Sequence, residues 1–162
     1  GSEIEKIYNS VGDISSKMKE VIWSLNTEND SLGNLLSYLQ KQARQMMENY
    51  PGSFTITIPE QIPDIKIGGE TRRHIYLTVK EALHNIIKHS GADKINLVIA
   101  CAGKLIIKVS DNGKGMNTGD SSNSGNGLKN MRNRMEQIGG NFSVENNQGL
   151  TLIFEIPLKP AL

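Results

Sequence analysis

The sequence predicts an α+β protein. It is a two-layer sandwich, with helices on one face of a mixed, mostly antiparallel sheet and a coiled-coil-like helix in front. Three observations predict it. The chain of 162 residues has the length of one domain with an appendage. Its apolar residues follow a 3.5-residue repeat at the start, then alternate between helical and strand spacing. The order that results is helix, helix, strand, helix, strand, strand, glycine-rich loop, helix, strand, strand, which segregates helices from a short-connected sheet.

The first helix rests on Ile4, Ile7, Val11, Ile14, Met18, Val21 and Leu25. Their 3, 4, 3, 4, 3, 4 spacing is a heptad seam, with polar residues such as Glu5, Lys6, Asp13, Lys17 and Glu20 on the other faces. One helix cannot bury such a stripe alone, so the seam predicts a helical-bundle element. A surface helix packed on its own domain is the blander alternative. Residues 26–30 (NTEND) break the pattern. Asp30 or Ser31 can cap a second helix built on Leu32, Leu35, Leu36, Leu39, Ala43, Met46 and Met47, which stops before Pro51-Gly52. Phe54, Ile56 and Ile58 alternate with threonines, a half-buried strand closed by Pro59. Residues 59–69, with two prolines and two glycines, read as a loop. The third helix opens at Glu70 or Thr71 and runs to about His89, with Ile75, Leu77, Val79, Ala82, Leu83, Ile86 and Ile87 as its apolar face. Strands at 95–101 and 105–110 form a hairpin through Ala102-Gly103. Residues 111–127 (DNGKGMNTGDSSNSGNG) hold one large apolar residue, Met116, and read as a mobile loop or lid. A helix follows with Leu128, Met131, Met135 and Ile138 inward, ended by Gly139-Gly140. Strands at 142–145 and 150–157 close the chain around Asn146-Asn147-Gln148-Gly149.

Composition excludes several classes. Lys+Arg is 18 against 17 Asp+Glu, which disfavours a broad nucleic-acid surface or a polybasic membrane anchor. A single cysteine, Cys101, excludes an intramolecular disulfide framework and a multi-cysteine zinc site. No apolar run reaches the ~18 residues of a membrane span. Aromatics at 5% disfavour a base-stacking platform. No secretory leader is visible, and Gly1-Ser2 reads as a cloning scar.

Four short motifs carry chemistry. Glu81, Asn85, Lys88 and His89 fall at i, i+4, i+7 and i+8 and share one face of the third helix, apart from its apolar arc. A carboxylate, an amide, an ammonium and an imidazole converge there. An amide oxygen is a hard neutral ligand for Mg²⁺, and the two cations can meet phosphate oxygens. A solvated helix face is the alternative. Asp111-Asn112-Gly113-Lys114-Gly115 follows a strand. An Asp there can accept from an exocyclic amine, and glycines let backbone approach a flat ligand. Gly125-Asn126-Gly127 sits immediately before a helix, whose free N–H groups bind anions. Gly149-Leu150-Thr151 opens the last strand, where a threonine can reach a base edge directly or through water. Each is weak alone. The information is in their order and in the elements that carry them.

That ordered set resembles the N, G1, G2 and terminal Gly-x-Thr boxes of the GHKL ATPases, the Bergerat-fold superfamily that includes gyrase, MutL and the histidine kinases. KEALHNIIKHSGA at residues 80–92 and GLKNMRNRMEQIGG at 127–140 resemble the catalytic domain of bacterial sensor histidine kinases. The IWSLN stretch at 22–26 resembles the end of the second dimerisation helix in the nitrate-sensor and membrane-fluidity-sensor subfamily. The resemblance divides the chain into residues 3–26, a partial second dimerisation helix, and residues 30–162, the ATP-binding catalytic domain. It implies transfer of the ATP γ-phosphoryl to a histidine, and onward to a response-regulator aspartate, with ATP and Mg²⁺ as cofactors.

Residue by residue, the resemblance makes Asn85 the Mg²⁺ ligand and places Glu81 beside metal and phosphates, ordering water. Lys88 and His89 would contact phosphates. Asp111 would bind the adenine amine. Gly113 and Gly115 would admit the base, with Met116 lining its pocket. Gly125, Gly127 and Leu128 would form the phosphate-side lid, and Thr151 would complete the adenine site. Glu81, Asn85 and Lys88 would carry the catalytic roles. The implied partners are the protein's own dimerisation and phospho-acceptor domain, a response regulator and a second copy of the chain, with no nucleic acid and no membrane contact by this part. The implied location is cytoplasmic, within an inner-membrane-anchored parent. His84 before Asn85 and Leu150 before Thr151 depart from the family pattern without removing a required group. A larger departure is the acceptor. Its family signature is a histidine followed by an acidic residue, and His74, His84 and His89 all lack that neighbour and lie in the third helix. The competing readings are a GHKL serine kinase of the anti-sigma type, a degenerate nucleotide-binding scaffold, and a DNA-topology ATPase module, which near-zero net charge disfavours.

Overall fold

The computed structural model describes residues 2–89, 91–113, 125–146 and 148–159. Five strands form one sheet in the order β1-β2-β3-β5-β4, with ranges Ser53–Thr57, Lys94–Cys101, Lys104–Asp111, Asn141–Asn146 and Leu150–Pro157 for β1 to β5. β1 pairs parallel to β2, and the other three pairings are antiparallel. The parallel pair needs a crossover, and helix α3 (Gly69–His89) supplies it. The sheet is therefore mixed and mostly antiparallel, as predicted.

Helix α2 (Leu32–Met46), α3 and α4 (Gly125–Gln137) cover one face. Strand alternation aims Ile95, Leu97 and Ile99 of β2 and Leu105, Ile107 and Val109 of β3 at the helices, all at most 2% exposed. Leu32, Leu35, Leu36 and Leu39 of α2, Ile75, Val79, Ala82, Leu83 and Ile86 of α3, and Met131 and Met135 of α4 close the core from the other side. Among the apolar residues expected to be inward on α3 and α4, Leu77, Leu128 and Ile138 are half-buried and Ile87 is exposed. They lie at the margins of stripes whose centres are filled.

Several element boundaries shift by a residue or two from expectation, and of the two expected caps of α2 one is used. Ser31, not Asp30, caps α2, and its hydroxyl accepts from Asn34 N–H at 3.1 Å. Asp30 is committed elsewhere, to Arg72. β3 runs one residue further and includes Asp111, which pairs with Ile95. Gly125-Asn126-Gly127 forms the first turn of α4 rather than preceding it. A glycine pair is tolerated in a first turn because its N–H groups have no intrahelical partner to lose. The expected lid falls mostly on residues 114–124, outside the described residues.

Helix α1 (Ser2–Leu25) stands apart from the sandwich. Its 24 residues extend about 36 Å. Every seam residue is exposed, from Val21 at 42% to Leu25 at 75%, so the stripe is not spent on its own domain. Tyr8 and Ile22 widen the exposed face to the adjacent heptad position. No described helix is long and apolar enough to cross a membrane.

Candidate functional site

Two half-sites form, one where α3 meets α4 and one at the end of β3. The first lies on α3. Glu81 and Asn85 are half-buried on its outward arc, and Lys88 and His89 are exposed one turn further on. Among the described residues none of the four is committed to a hydrogen bond or an ion pair. The first turn of α4 packs directly onto this arc. A Cβ placed on Gly127 would lie 2.9 Å from Glu81 Oε1 and 3.0 Å from Asn85 Nδ2. The first turn of α4, where the N–H groups have no intrahelical partner, therefore packs against a carboxylate and an amide with no room for a side chain at Gly127. Leu128 follows, half-buried. This is a place for an anion whose countercharge arrives with it, because Glu81 alone would repel it.

The second half-site is the end of β3. Asp111 is 9% exposed, and its Oδ1 accepts the Gly113 N–H at 2.8 Å. That bond aims the carboxylate along the strand end. Asn112 locks the turn behind it. Its side-chain oxygen accepts from the N–H groups of Asp93 and Lys94, each at 2.9 Å, and its own N–H donates to Lys94 O. Gly149 closes the other side. Its φ of +132° is glycine territory, and a Cβ there would lie 2.0 Å from Asp111 O. Thr151, half-buried, sits beside Ser110 in the β3–β5 ladder, one residue from Asp111. An acidic acceptor, a threonine and bare backbone are thus gathered at one strand end, a suitable edge for a base with an exocyclic amine.

The structure accordingly brings Glu81, Asn85 and Gly127 together and, separately, Asp111, Gly113 and Thr151. Lys88 and His89 share the helix face but project into solvent. Gly125 begins α4. Gly115 and Met116 lie outside the described residues. Nothing among the described residues groups three or more His, Cys, Asp or Glu into a metal cage. Asn85 beside Glu81 still suits Mg²⁺, which keeps waters and takes its other oxygens from phosphates.

His84, a departure from the expected pattern, has its pKa lowered by burial and by the nearby Lys80 and Lys88, against a smaller opposing effect of Glu81. It is neutral near pH 7. His74 is lowered as well, by burial first, then by Arg134 and Arg73. It packs between α3 and α4, with Nδ1 3.5 Å from an Arg134 nitrogen, and belongs to neither half-site.

Two features escaped the sequence reading. The contact of Gly149 with Asp111 had a signal, a glycine two residues before Thr151, but only the threonine drew a role. Arg72 had none. It is fully buried and ion-paired to Asp30, and it donates to the carbonyls of Ile67, Trp23, Ser24 and Asn26 at 2.8–3.3 Å. Arginine in a helix N-terminal turn reads as solvated surface until the elements it joins are known.

The model of the family described as histidine kinase-, DNA gyrase B- and HSP90-like ATPase matches residues 70–160. The chain belongs to that family. Its two half-sites lie within that ATPase domain, and the chain is similar to sensor histidine kinases. The sensor histidine kinase LiaS of Bacillus subtilis is 30% identical over 126 residues, 75% of this chain and 35% of LiaS. The sensor protein VraS of Staphylococcus aureus is 31% identical over 88 residues, 54% of this chain and 25% of VraS. The chain thus spans about a third or less of the length of these relatives. Among solved structures, the blue-light activated histidine kinase of Erythrobacter litoralis superposes with a TM-score of 0.69 at 23% identity, covering 94% of this chain and 50% of that one. Histidine kinase AdeS of Acinetobacter baumannii gives 0.65 at 16%, covering 96% and 84%. These likenesses establish the fold.

Proposed function

We propose that this chain is the ATP-binding catalytic part of a two-component sensor histidine kinase. It presents the γ-phosphoryl of ATP to a histidine carried on a helix outside this chain, from which the phosphoryl passes to a response-regulator aspartate. The observation that carries the reading is the packing of Gly127 on Glu81 and Asn85. It puts a helix N-terminus, a carboxylate and an amide at one point, the combination that triphosphate with a divalent cation requires.

Asp111 holds the adenine amine, with Gly113 and Gly149 clearing the approach and Thr151 beside it. The carboxylate accepts; adenine N6 donates. Asn85 would hold Mg²⁺ through its amide oxygen, and the metal would supply charge neutralisation on the phosphates. Glu81 orders water beside it. Lys88 and His89 reach phosphate oxygens from the C-terminal end of α3, and the α4 N–H groups face the same anion. Gly115 and Met116 are assigned to the base pocket and Gly125 and Leu128 to the phosphate side. Phosphoryl transfer needs little covalent help from protein. It needs positioning and charge, which these groups supply. The proton on the acceptor nitrogen is removed by a group outside this chain.

Residues 3–26 serve as a partial dimerisation helix and 30–162 as the catalytic domain. An exposed apolar stripe that spans three heptad positions, a, d and e, suits a helix with more than one neighbour in a bundle. A second copy of the chain and the acceptor helix are the partners it fits. The parent is a membrane-anchored sensor with this domain in the cytoplasm.

The test is calorimetric titration of ATP with and without Mg²⁺. Asp111→Ala abolishes binding in both conditions. Asn85→Ala weakens it only when Mg²⁺ is present. Wild-type protein that binds no ATP in either condition overturns the reading.

A further inference from the structure

Asp111 keeps one carboxylate oxygen for a ligand, and its neighbour Asn112 decides where that oxygen points. Asp111 Oδ1 is spent inside the turn, on the Gly113 N–H at 2.8 Å. Oδ2 has no hydrogen-bond partner among the described residues. A side chain that accepts from the residue two positions on makes an Asx turn. The carboxylate is therefore held only as firmly as Gly113 is held, and the residue between them does the holding.

Asn112 stands at the ladder position just beyond the last β3 pair, Ile95 with Asp111. Its N–H donates to Lys94 O at 3.2 Å, as an antiparallel ladder requires. The return bond is different. In a regular ladder the Lys94 N–H would go to the main-chain carbonyl of residue 112. Here it goes to the Asn112 side-chain oxygen at 2.9 Å, which also accepts the Asp93 N–H at 2.9 Å. The side chain replaces the residue's own carbonyl, so the chain can turn off the sheet at Gly113 while Asn112 stays pinned to β2. The segment it grips is fixed from the far side too. Tyr50 Oη donates to Ala92 O at 2.7 Å, and the Ser53 N–H donates to Asp93 O at 2.7 Å. Gly52 packs so closely there that a Cβ would lie 2.6 Å from Asp93 O. Asn112 thus hangs an exposed turn on a braced strand start.

We infer that Asn112 is a positioning residue for base selection, acting through Asp111. This rests on the ATP reading above. Adenine presents an amine at N6, where guanine presents a carbonyl oxygen at O6. A carboxylate oxygen only accepts, so a fixed Oδ2 pairs with the first and opposes the second lone pair to lone pair. Fixation is the condition. A carboxylate free to swing escapes guanine O6 and stops rejecting it, and it must be ordered before it can grip adenine N6.

The experiment is calorimetric titration of this chain with Mg-ATP and with Mg-GTP, with thermal midpoints measured alongside. The wild type prefers ATP about hundred-fold. Asn112→Ala weakens ATP binding about ten-fold and GTP binding less than about two-fold, so the preference falls several-fold. Asn112→Asp is isosteric and keeps the accepting oxygen. It restores the preference, because its added charge acts on both nucleotides alike. Tyr50→Phe loosens the same segment from the other side by one hydroxyl, lowers the midpoint as Asn112→Ala does, and leaves the preference unchanged. Full preference in Asn112→Ala, an equal loss in Tyr50→Phe, or no restoration in Asn112→Asp overturns the positioning role and leaves the ATP reading intact. A wild type that binds ATP and GTP alike overturns Asp111 as the amine acceptor and this inference with it. A wild type that binds neither overturns the ATP reading itself.

Discussion

Gly127→Ala separates binding from stability, because the two effects have opposite signs. Alanine is favoured over glycine in a helix by about 1 kcal/mol, less near a terminus. The added methyl meets no backbone. It would lie 2.9 Å from Glu81 Oε1 and 3.0 Å from Asn85 Nδ2, which are the ends of flexible side chains, half-buried and free to swing. Folding therefore loses little, and the thermal midpoint stays put or rises by up to about 3 °C. Nucleotide binding cannot escape so cheaply. The swing displaces the carboxylate and the amide that face the helix N-terminus, by about half an ångström or more. Loss of one charge-assisted contact costs about 1.5–3 kcal/mol, which is a ten- to hundred-fold weaker Kd for Mg-ATP. Gly33→Ala is the control. It sits in α2 with nothing within 4 Å of its new Cβ, so it raises the midpoint and leaves Kd unchanged. Calorimetry and a thermal scan on both variants decide the matter. Unchanged ATP affinity in a folded Gly127→Ala protein refutes the site as assembled here.

Other substitutions read other links. Gly149→Ala puts a methyl 2.0 Å from Asp111 O at a φ that L-residues avoid, so urea denaturation gives a loss of about 2–4 kcal/mol, and ATP binding fails with it. Arg72→Met strips the partner from Asp30 and four carbonyls, and lowers stability by about 3–5 kcal/mol in the same assay. The folded-state pKa values of His74 and His84 lie below the unfolded value, so the unfolded chain binds more protons as pH falls through about 6.5. The urea midpoint drops from pH 7 to pH 5.5, and His74→Gln flattens that drop; an unaltered slope contradicts the assignment. Incubated with Mg-ATP, this chain alone forms no acid-labile phosphohistidine, and stoichiometric labelling of His74, His84 or His89 would show that the acceptor lies within it.

The elements were legible because their periods are unmixed. β2 alternates from Ile95 to Ile99, and its buried residues fall where the pattern put them. The seam of α1 was legible as unspent apolar surface for the same reason. The half-sites were legible as short motifs, and the structure gives a steric reason for two of their glycines, Gly127 against α3 and Gly149 against β3. Long-range polar contacts were not legible. Arg72 reaches residues 42 to 49 positions away, and Glu20 reaches Lys80 across 60. No periodicity encodes such pairs. A lysine or glutamate on a helix surface looks the same in sequence whether it faces water or another element.

That asymmetry bears on how the protein divides its work. Apolar residues that repeat locally build the sandwich, and the residues proposed for the nucleotide lie chiefly on the inner helix α3, the first turn of α4 and the end of the central strand β3. The junction with α1 is made of different material. It uses one ion pair at a shared carboxylate oxygen, one aromatic stack and one buried guanidinium, with few apolar contacts behind them. A large apolar interface between α1 and α3 would hold the two as one body. Polar contacts worth about 1 kcal/mol each can be broken in sequence at modest cost. Arg72 is the exception, since a buried guanidinium that loses its partners is expensive. Arg72 is therefore the strong end of the junction, and the contacts of Glu20 with Tyr76 and Lys80 are its weaker end, on one strip little more than one helical turn long.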